Sequence, residues 1–257
     1  MASAAFIEFS ARNERWIVLS GLALVAATGV IVSLRVGGGL MMSAMMGETS
    51  PAYPALLLLM WWTMMMAMML PSAAPAILTF AAVSRKFSNQ PKSPAAVASF
   101  AAGYAAIWTG FSALAVALQI LASGVTAFSM MMAMTGTLFG GGLLIAAGLY
   151  QISPLKMACL RKCQAPLMFL ARNWRKGNGG AFRMGFEHGV YCLGCCWVLM
   201  GLLFYGGVME LRWIVGLAIY VAIEKLVPAN NVLSRASGLL LIGWGILVVW
   251  QASTMAT

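Results

Sequence analysis

The chain has 257 residues, of which 62% are hydrophobic and 9% are charged, and its mean hydropathy is +0.89. This composition excludes an ordinary water-soluble domain and predicts a polytopic membrane protein whose main solvent is lipid. The net charge of +10 does not indicate nucleic-acid binding, because the basic residues are scattered over several predicted cytoplasmic segments, where they attract anionic lipid headgroups.

The predicted fold is an all-α polytopic transmembrane helical bundle of about seven spans in one membrane domain, residues 1–257. A helix needs about 20 apolar residues to cross a hydrocarbon core of roughly 30 Å. In chain order, the predicted spans lie near residues 16–36, 54–82, 95–121, 130–152, 184–206, 212–226 and 237–252, and residues 153–183 form an inner loop. With the N-terminus in the cytoplasm, every basic residue except Arg35 and Arg212 falls on the inner side, as the positive-inside rule requires.

Methionine is concentrated in the first predicted outer loop and in the second span, and the chain has 21 methionines in all. The outer loop contains Met41, Met42, Met45 and Met46, and the second span contains Met64, Met65, Met68 and Met69. Within the span, methionines four residues apart lie one helical turn apart, so two thioethers can bind one soft ion such as Cu(I). The alternative is that methionine fills irregular gaps between membrane helices.

The second span also contains Pro71 and Pro75. Each proline removes a backbone hydrogen bond inside the predicted membrane segment, so we expect a kinked or broken helix there. Such breaks often line cavities in transporters, where neighbouring helices or water satisfy the carbonyl groups that have lost their donors.

The inner loop is expected to have its own short helix between Pro154 and Pro166. Cys159 and Cys163 lie one turn apart on this helix, among basic residues whose charges favour the thiolate form. These two cysteines are expected to complete a metal site with His188 at the inner surface of the membrane.

The fifth predicted span carries the only histidine, His188, and three of the five cysteines, Cys192, Cys195 and Cys196. At about 100° per residue, these four side chains fall within about a third of the helix circumference. They are spread too far along the helix for one ion to touch all four. One expected pairing is His188 with Cys192, and another is Cys192 with Cys195 or Cys196. The alternative is that the cysteines are inert small hydrophobes.

Near the inner end of the sixth span, Glu224 is followed directly by Lys225. Acidic groups in membrane segments are costly and usually have a partner. The sequence therefore predicts that these two residues form an ion pair at the membrane interface.

Several of these motifs together carry a resemblance to a known family. They are residues 61–71, GLYQISPLK at 148–156 with Cys159, Cys163 and Pro166, Gly185, HGVYCLGCCW at 188–197, residues 199–200, and EKLVP at 224–228. The chain resembles the bacterial family of predicted metal-binding integral membrane proteins, domain of unknown function 2182, over nearly its whole length. The resemblance implies a multi-pass protein of the bacterial inner membrane that binds metal through this histidine and these cysteines.

These features predict a membrane-embedded protein that binds a soft metal. Cu(I) is the expected ion because thioether and thiolate sulfur prefer it, and Zn(II) is the alternative. The protein would carry the ion inward across the membrane, deliver it to a partner such as a cuproenzyme or metallochaperone, or act as an assembly factor for a membrane metalloenzyme.

An enzyme is the alternative class. Cys192 and Cys195 have the two-residue spacing of a redox pair, which would make the chain a membrane thiol-disulfide oxidoreductase. Against this interpretation, such enzymes are expected to have a second pair that faces outward, whereas Cys159 and Cys163 face inward in the predicted topology. A metal-dependent oxygenase is disfavoured by the single histidine.

Overall fold

The computed structural model describes residues 51–87, 94–124, 126–206, 210–227 and 232–255, together with residues 20, 23–24, 27–32 and 34–39. Over these residues all regular secondary structure is helical, which confirms the predicted all-α class. The helices with defined bounds are α1 (Tyr53–Phe87), α2 (Pro94–Gly124), α3 (Thr126–Gln151), α4 (Pro154–Gln164), α5 (Pro166–Asn173), α6 (Gly177–Gly201), α7 (Leu203–Gly206), α8 (Leu211–Leu226) and α9 (Val232–Met255).

The chain divides into two compact units. The first comprises Met1–Trp108 and Pro166–Phe186, so it contains α1, α5 and the beginnings of α2 and α6. The second comprises Thr109–Ala165 and Glu187–Thr257, so it contains α3, α4, α8, α9 and the greater part of α6. All five cysteines and His188 therefore belong to the second unit, and the methionines of α1 belong to the first.

Four segments are long and apolar enough to cross a membrane: Tyr53–Ser84, Pro94–Leu121, Gly177–Gly206 and Val232–Thr254. A fifth is obtained if the bent pair Leu138–Gln151 and Pro154–Gln164 forms one span. The described residues thus contain four or five candidate spans, which is compatible with a membrane protein.

The predicted count of seven spans is not confirmed. Helix α8, the sixth predicted span, has 16 residues and is shorter than the roughly 20 residues that a span needs. The first predicted span, near residues 16–36, lies partly outside the described residues. The side of the membrane on which the N-terminus lies stays a prediction.

Helix α1 runs without interruption through Pro71 and Pro75. The expected break is therefore not found, and a kink stays a prediction. Hydroxyl groups supply hydrogen bonds in this stretch, because Ser72 Oγ and Tyr104 Oη donate to the carbonyl oxygen of Met69 at 2.9 and 3.1 Å. These hydroxyl groups, one on α1 and one on α2, thus bind the helix backbone beside Pro71.

The backbones of α3 and α9 approach closely at two pairs of glycines. A Cβ atom on Gly148 would lie 2.5 Å from the carbonyl oxygen of Gly238. A Cβ atom on Gly245 would lie 2.7 Å from the carbonyl oxygen of Gly141. Small residues at such positions let helix backbones touch, and the resulting van der Waals contact is a main source of helix association in lipid.

Helix α3 ends at Gln151 and α4 begins at Pro154, with a bend of 61° between them. Pro154 explains the break, because it has no backbone N–H and disfavours helical backbone at the preceding residue. Ser153 caps the new helix by accepting a hydrogen bond from the backbone N–H of Lys156 at 3.2 Å. The predicted short helix before Pro166 is confirmed, and α5 follows it directly.

A buried ion pair connects this break to α8. Lys156 Nζ contacts Glu224 Oε1, and the two side chains are 0% and 2% exposed. Gln151 Oε1 accepts a second hydrogen bond from Lys156. The same Glu224 oxygen accepts hydrogen bonds from Ser234 Oγ at 2.6 Å and from Tyr220 Oη at 3.0 Å. We call the five residues Gln151, Lys156, Tyr220, Glu224 and Ser234 the polar cluster. Its hydrogen bonds offset the cost of burying two charges and join α3, α4, α8 and α9.

The polar cluster corrects one expectation from the sequence. The carboxylate of Glu224 pairs with Lys156 and not with its neighbour Lys225, because adjacent residues on a helix point about 100° apart and enter different surroundings. Lys156 and Lys225 are also buried. Buried charges in apolar helices usually mark a paired or functional group.

We predict that Gly148→Ala destabilises the protein, because the added methyl group would meet the backbone of Gly238 and the side chain of Ile242. Overpacking of this kind costs about 1–3 kcal/mol. Gly142→Ala is the matched control, since a Cβ atom there meets no described atom within 4 Å. Thermal unfolding in detergent should show a lower melting temperature for Gly148→Ala alone, and equal melting temperatures for the two variants would contradict the close contact.

We also predict that Lys156→Met strongly destabilises the protein, because it leaves the buried carboxylate of Glu224 without its cation. Removing one partner of a buried ion pair costs about 3–5 kcal/mol. The double variant Lys156→Met, Glu224→Gln should lose less stability than the sum of the two single variants, as a double-mutant cycle of chemical unfolding in detergent would measure.

The exposed ion pair of Arg212 with Glu210 provides the control, since its side chains are 90% and 40% exposed. Arg212→Ala should leave the unfolding transition almost unchanged, because exposed pairs are screened by water. If the losses in the double-mutant cycle were simply additive, the ion pair of Lys156 with Glu224 would not be the contact that holds α4 against α8.

Candidate metal centre

Four of the predicted metal ligands lie on α6, and all four are buried. His188, Cys192, Cys195 and Cys196 are between 0% and 3% exposed. The thiols of Cys195 and Cys196 both donate to the carbonyl oxygen of Cys192, at 3.0 and 3.1 Å. Such bonds to the preceding turn satisfy polar side chains inside an apolar helix. The α6 cysteines are therefore held in one buried region of the second unit.

Helix α4 brings a further thiol to this region. Cys163 lies close enough to Cys195 for the two side chains to interact. Cys159 packs against α6, and a Cβ atom on Gly194 would lie 2.8 Å from Cys159 Sγ. The glycine therefore permits the close approach of the two helices. The sequence predicts the α4 cysteines beside His188, whereas the structure brings Cys163 to Cys195.

Four of the thiols form one connected group. Besides the contact from α4, the side chain of Cys196 interacts with those of Cys192 and Cys195. All five cysteines are free thiols. Among the residues that the structure describes, no group of three or more His, Cys, Asp or Glu side chains is arranged to hold a metal ion. Metal binding by these cysteines and by His188 stays a prediction.

Lys225 reaches the thiols from α8. Its Nζ donates a hydrogen bond to Cys192 Sγ at 2.9 Å, and the side chain is only 7% exposed. Its charge is also within electrostatic range of three more thiols, those of Cys163, Cys195 and Cys196. The ammonium group therefore supplies the positive charge that a buried thiolate needs in an apolar region.

The end of α8 connects the thiols to the polar cluster, because Glu224 and Lys225 are adjacent in the chain. Gln164, the last residue of α4, donates to the carbonyl oxygen of Glu224 at 2.8 Å and to that of Val227 at 3.3 Å. These bonds satisfy carbonyl groups that the end of a helix leaves without partners. They fix α4, which carries Cys163, against α8, which carries Lys225.

Three residues near the thiols, Lys225, Lys156 and Gln151, are not among the site residues predicted from the sequence. One signal was available, because charged residues inside apolar helices are rare and mark functional groups by default. All three residues also lie within the motifs at 148–156 and 224–228. The sequence did not reveal that Lys225 contacts a cysteine 33 residues away.

The predicted methionine ligands belong to the first unit or lie outside the described residues. Met64, Met65, Met68 and Met69 belong to α1 in the first unit and are between 0% and 3% exposed. Their burial agrees with a packing role and with a metal-binding role alike. Met41, Met42, Met45 and Met46 lie outside the described residues. Metal binding by any of these methionines stays a prediction.

Comparison with known proteins supplies a family for the chain. The PpoB2 family, described as a copper chaperone, matches residues 58–248. The matched region begins in α1, ends in α9, and includes all five cysteines, Lys225 and the polar cluster. No curated protein and no solved structure matches the chain. Because the match covers most of its length, the chain belongs to the PpoB2 copper chaperone family.

Proposed function

We propose that the protein binds Cu(I) as its cargo within the bacterial inner membrane and delivers it to a copper enzyme. The observation that carries this proposal is the contact between Cys163 on α4 and Cys195 on α6, in a chain of the copper chaperone family. Thiolate sulfur is a soft ligand that suits Cu(I). Two thiols from separate helices therefore form a suitable pair of ligands.

The arrangement of the described side chains supports Cu(I) over Zn(II). Protein-bound Zn(II) usually takes four ligands in a tetrahedral arrangement, whereas Cu(I) is stable with two sulfur ligands. Among the described residues, no group of three or more ligand side chains is arranged to hold a metal ion. Two neighbouring thiols, such as those of Cys163 and Cys195, suit the lower coordination number.

Delivery requires that the ion can leave, since a site that binds too tightly does not pass on its cargo. The α6 thiols are buried, while Cys163 is only partly buried. A partner protein can therefore approach Cys163 more easily than the α6 thiols. We assign to Cys163 the transfer of Cu(I), by ligand exchange, from the buried thiols to the partner.

Transport across the membrane is the second candidate, and the bent pair of α3 and α4 favours it. Discontinuous membrane helices often form the binding sites of transporters, where they line a cavity. The bend of 61° lies beside the helix that carries Cys159 and Cys163. In this alternative the methionine clusters would receive the ion before the thiols do.

We predict that the double variant Cys163→Ser, Cys195→Ser binds Cu(I) at least about tenfold more weakly than the wild type, the equivalent of 1.4 kcal/mol. Serine keeps the size of the side chain but replaces the soft sulfur with a hard oxygen. The measurement is competition with a Cu(I) chelator under anaerobic conditions, followed by elemental analysis of the detergent-purified protein.

The matched control is Met168→Leu, which removes a thioether outside the proposed site, on a side chain that is 61% exposed. This variant should bind Cu(I) like the wild type. Undiminished binding by the double variant would contradict the proposed site. A further outcome is that the wild type contains an oxidised pair of cysteines and no copper. That result would favour the alternative function, a thiol-disulfide oxidoreductase that uses Cys192 and Cys195.

Delivery and transport can be separated with liposomes that contain the protein and a Cu(I)-sensitive dye. Copper that reaches the dye in the lumen would favour transport. Copper that passes to an added copper-free cuproenzyme, without reaching the lumen, would favour delivery.

A further inference from the structure

We propose that Arg161 and Lys162 form a docking surface for an acidic partner protein, which receives Cu(I) from Cys163. This inference rests on the proposed copper function and adds the chemistry by which the partner is recognised. The two cations hold the partner beside the thiols and contribute no ligand atom.

Helix α4 presents two positive charges at its surface. It contains three basic residues and no acidic residue. Lys156 is buried in the polar cluster, whereas Arg161 and Lys162 are exposed. Within the described part of the chain, neither of these two exposed residues takes part in an ion pair with an acidic residue. A surface of one charge sign attracts a partner of the opposite sign and steers its approach.

The position of the Lys162 ammonium group is defined by Tyr191 on α6. Lys162 Nζ donates a hydrogen bond to Tyr191 Oη at 2.7 Å and lies 3.9 Å from the centre of the Tyr191 ring. An ammonium group has three N–H donors, so donors remain for a carboxylate of the partner. A side chain that is ordered before binding loses less entropy when the partner arrives. Lys162 is therefore a preorganised contact.

This cation lies close to the thiol that passes on the copper. Lys162 contacts Tyr191, and its neighbour Cys163 lies close to Cys195. Tyr191 and Cys195 are one turn apart on α6, which is a rise of about 6 Å. The charge of Lys162 is also within electrostatic range of Cys159, one turn before Cys163 on α4. A carboxylate bound at Lys162 therefore brings the ligands of the partner to Cys163.

An acidic protein fits this surface better than an anionic lipid does. Lipid headgroups also bind exposed cations at the inner surface of a membrane, but they offer no soft ligand to Cu(I). Delivery requires the acceptor to reach Cys163, and a headgroup held at Lys162 would occupy the same place. The acceptor therefore carries acidic residues around its own thiols.

The transfer itself is a ligand exchange. A bond from Cu(I) to a thiolate of the acceptor forms as the bond from Cu(I) to Cys163 breaks, and the copper keeps its oxidation state. The acceptor thiol gives its proton to water when it binds copper, and Cys163 takes up a proton from water when copper leaves. The docking surface therefore governs the rate of transfer and not the affinity of the copper site.

The test uses three synthetic acceptor peptides that share one pair of cysteines and differ only in their flanks, which are Glu, Gln or Lys. The detergent-purified protein is loaded with Cu(I) under anaerobic conditions, and its rate of transfer to each peptide is measured at low ionic strength. We expect transfer to the Glu peptide to be at least about tenfold faster than to the Lys peptide, because electrostatic attraction raises association rates by about 10–1,000-fold. The difference should shrink in about 1 M salt, where the Debye length is about 3 Å.

Lys162→Gln and Arg161→Gln should each reduce the preference for the Glu peptide, and the double variant should reduce it most. Lys162→Arg should keep the preference, because it keeps the charge. Arg212→Gln is the matched control, since it removes the same charge at the beginning of α8. The thiols lie at the other end of that helix, about 20 Å away along its axis. This control should keep the wild-type preference and the wild-type affinity for Cu(I).

Equal rates for the three peptides, or an unchanged preference in the double variant, would overturn the docking surface and leave the copper site in place. Equal rates together with a loss of bound phosphatidylglycerol from the double variant would overturn it too, and would assign the two cations to the membrane. Weaker Cu(I) binding by the double variant would mean that the cations support the site itself, which contradicts a role in docking alone. A wild type that holds no Cu(I) would overturn the copper function, and the inference with it.

Discussion

The buried ion pair of Lys156 with Glu224 is the interaction on which the candidate site depends. It connects the break between α3 and α4 to the end of α8, and it sits among hydrogen bonds from Ser234 and Tyr220. Two opposite charges in an apolar region attract each other strongly but are costly to bury, and these hydrogen bonds offset part of that cost. Because α4 is held in this way, Cys163 lies at Cys195 on α6.

The same ion pair separates hard and soft ligands. A carboxylate oxygen of Glu224, the residue before Lys225, accepts a hydrogen bond from Lys156. This hard oxygen ligand is therefore occupied within the polar cluster. The thiols of α4 and α6 face the ammonium group of Lys225. In the copper function that we propose, this division leaves a Cu(I) ion with the sulfur ligands that it prefers. A buried ion pair often contributes little net stability, so its value here lies in placing the helices and charges.

Much of the fold and part of the site could be predicted from the sequence. The apolar stretches predicted the helices α1, α2, α3, α6 and α9, and Pro154 and Pro166 predicted the bounds of α4. The prediction failed for Glu224 and Lys225, which were expected to pair with each other. On a helix, adjacent side chains point about 100° apart, so each finds a partner on another helix, and that partner depends on packing. For α8 the apolar pattern was correct, but its 16 residues are too few for the span that was expected.

By itself, the sequence determined the helical class, the apolar surroundings and the placement of one histidine and three cysteines along a single helix. These properties are local, because they follow from composition and from a period of 3.6 residues. Only the tertiary structure decided that Cys163 meets Cys195, that Lys225 faces Cys192, and that Glu224 belongs to Lys156. Those contacts join residues that are far apart in the chain, and no local periodicity encodes them. They depend on the angle between α3 and α4 and on the close approach that Gly194 permits, which arise only when the helices pack together.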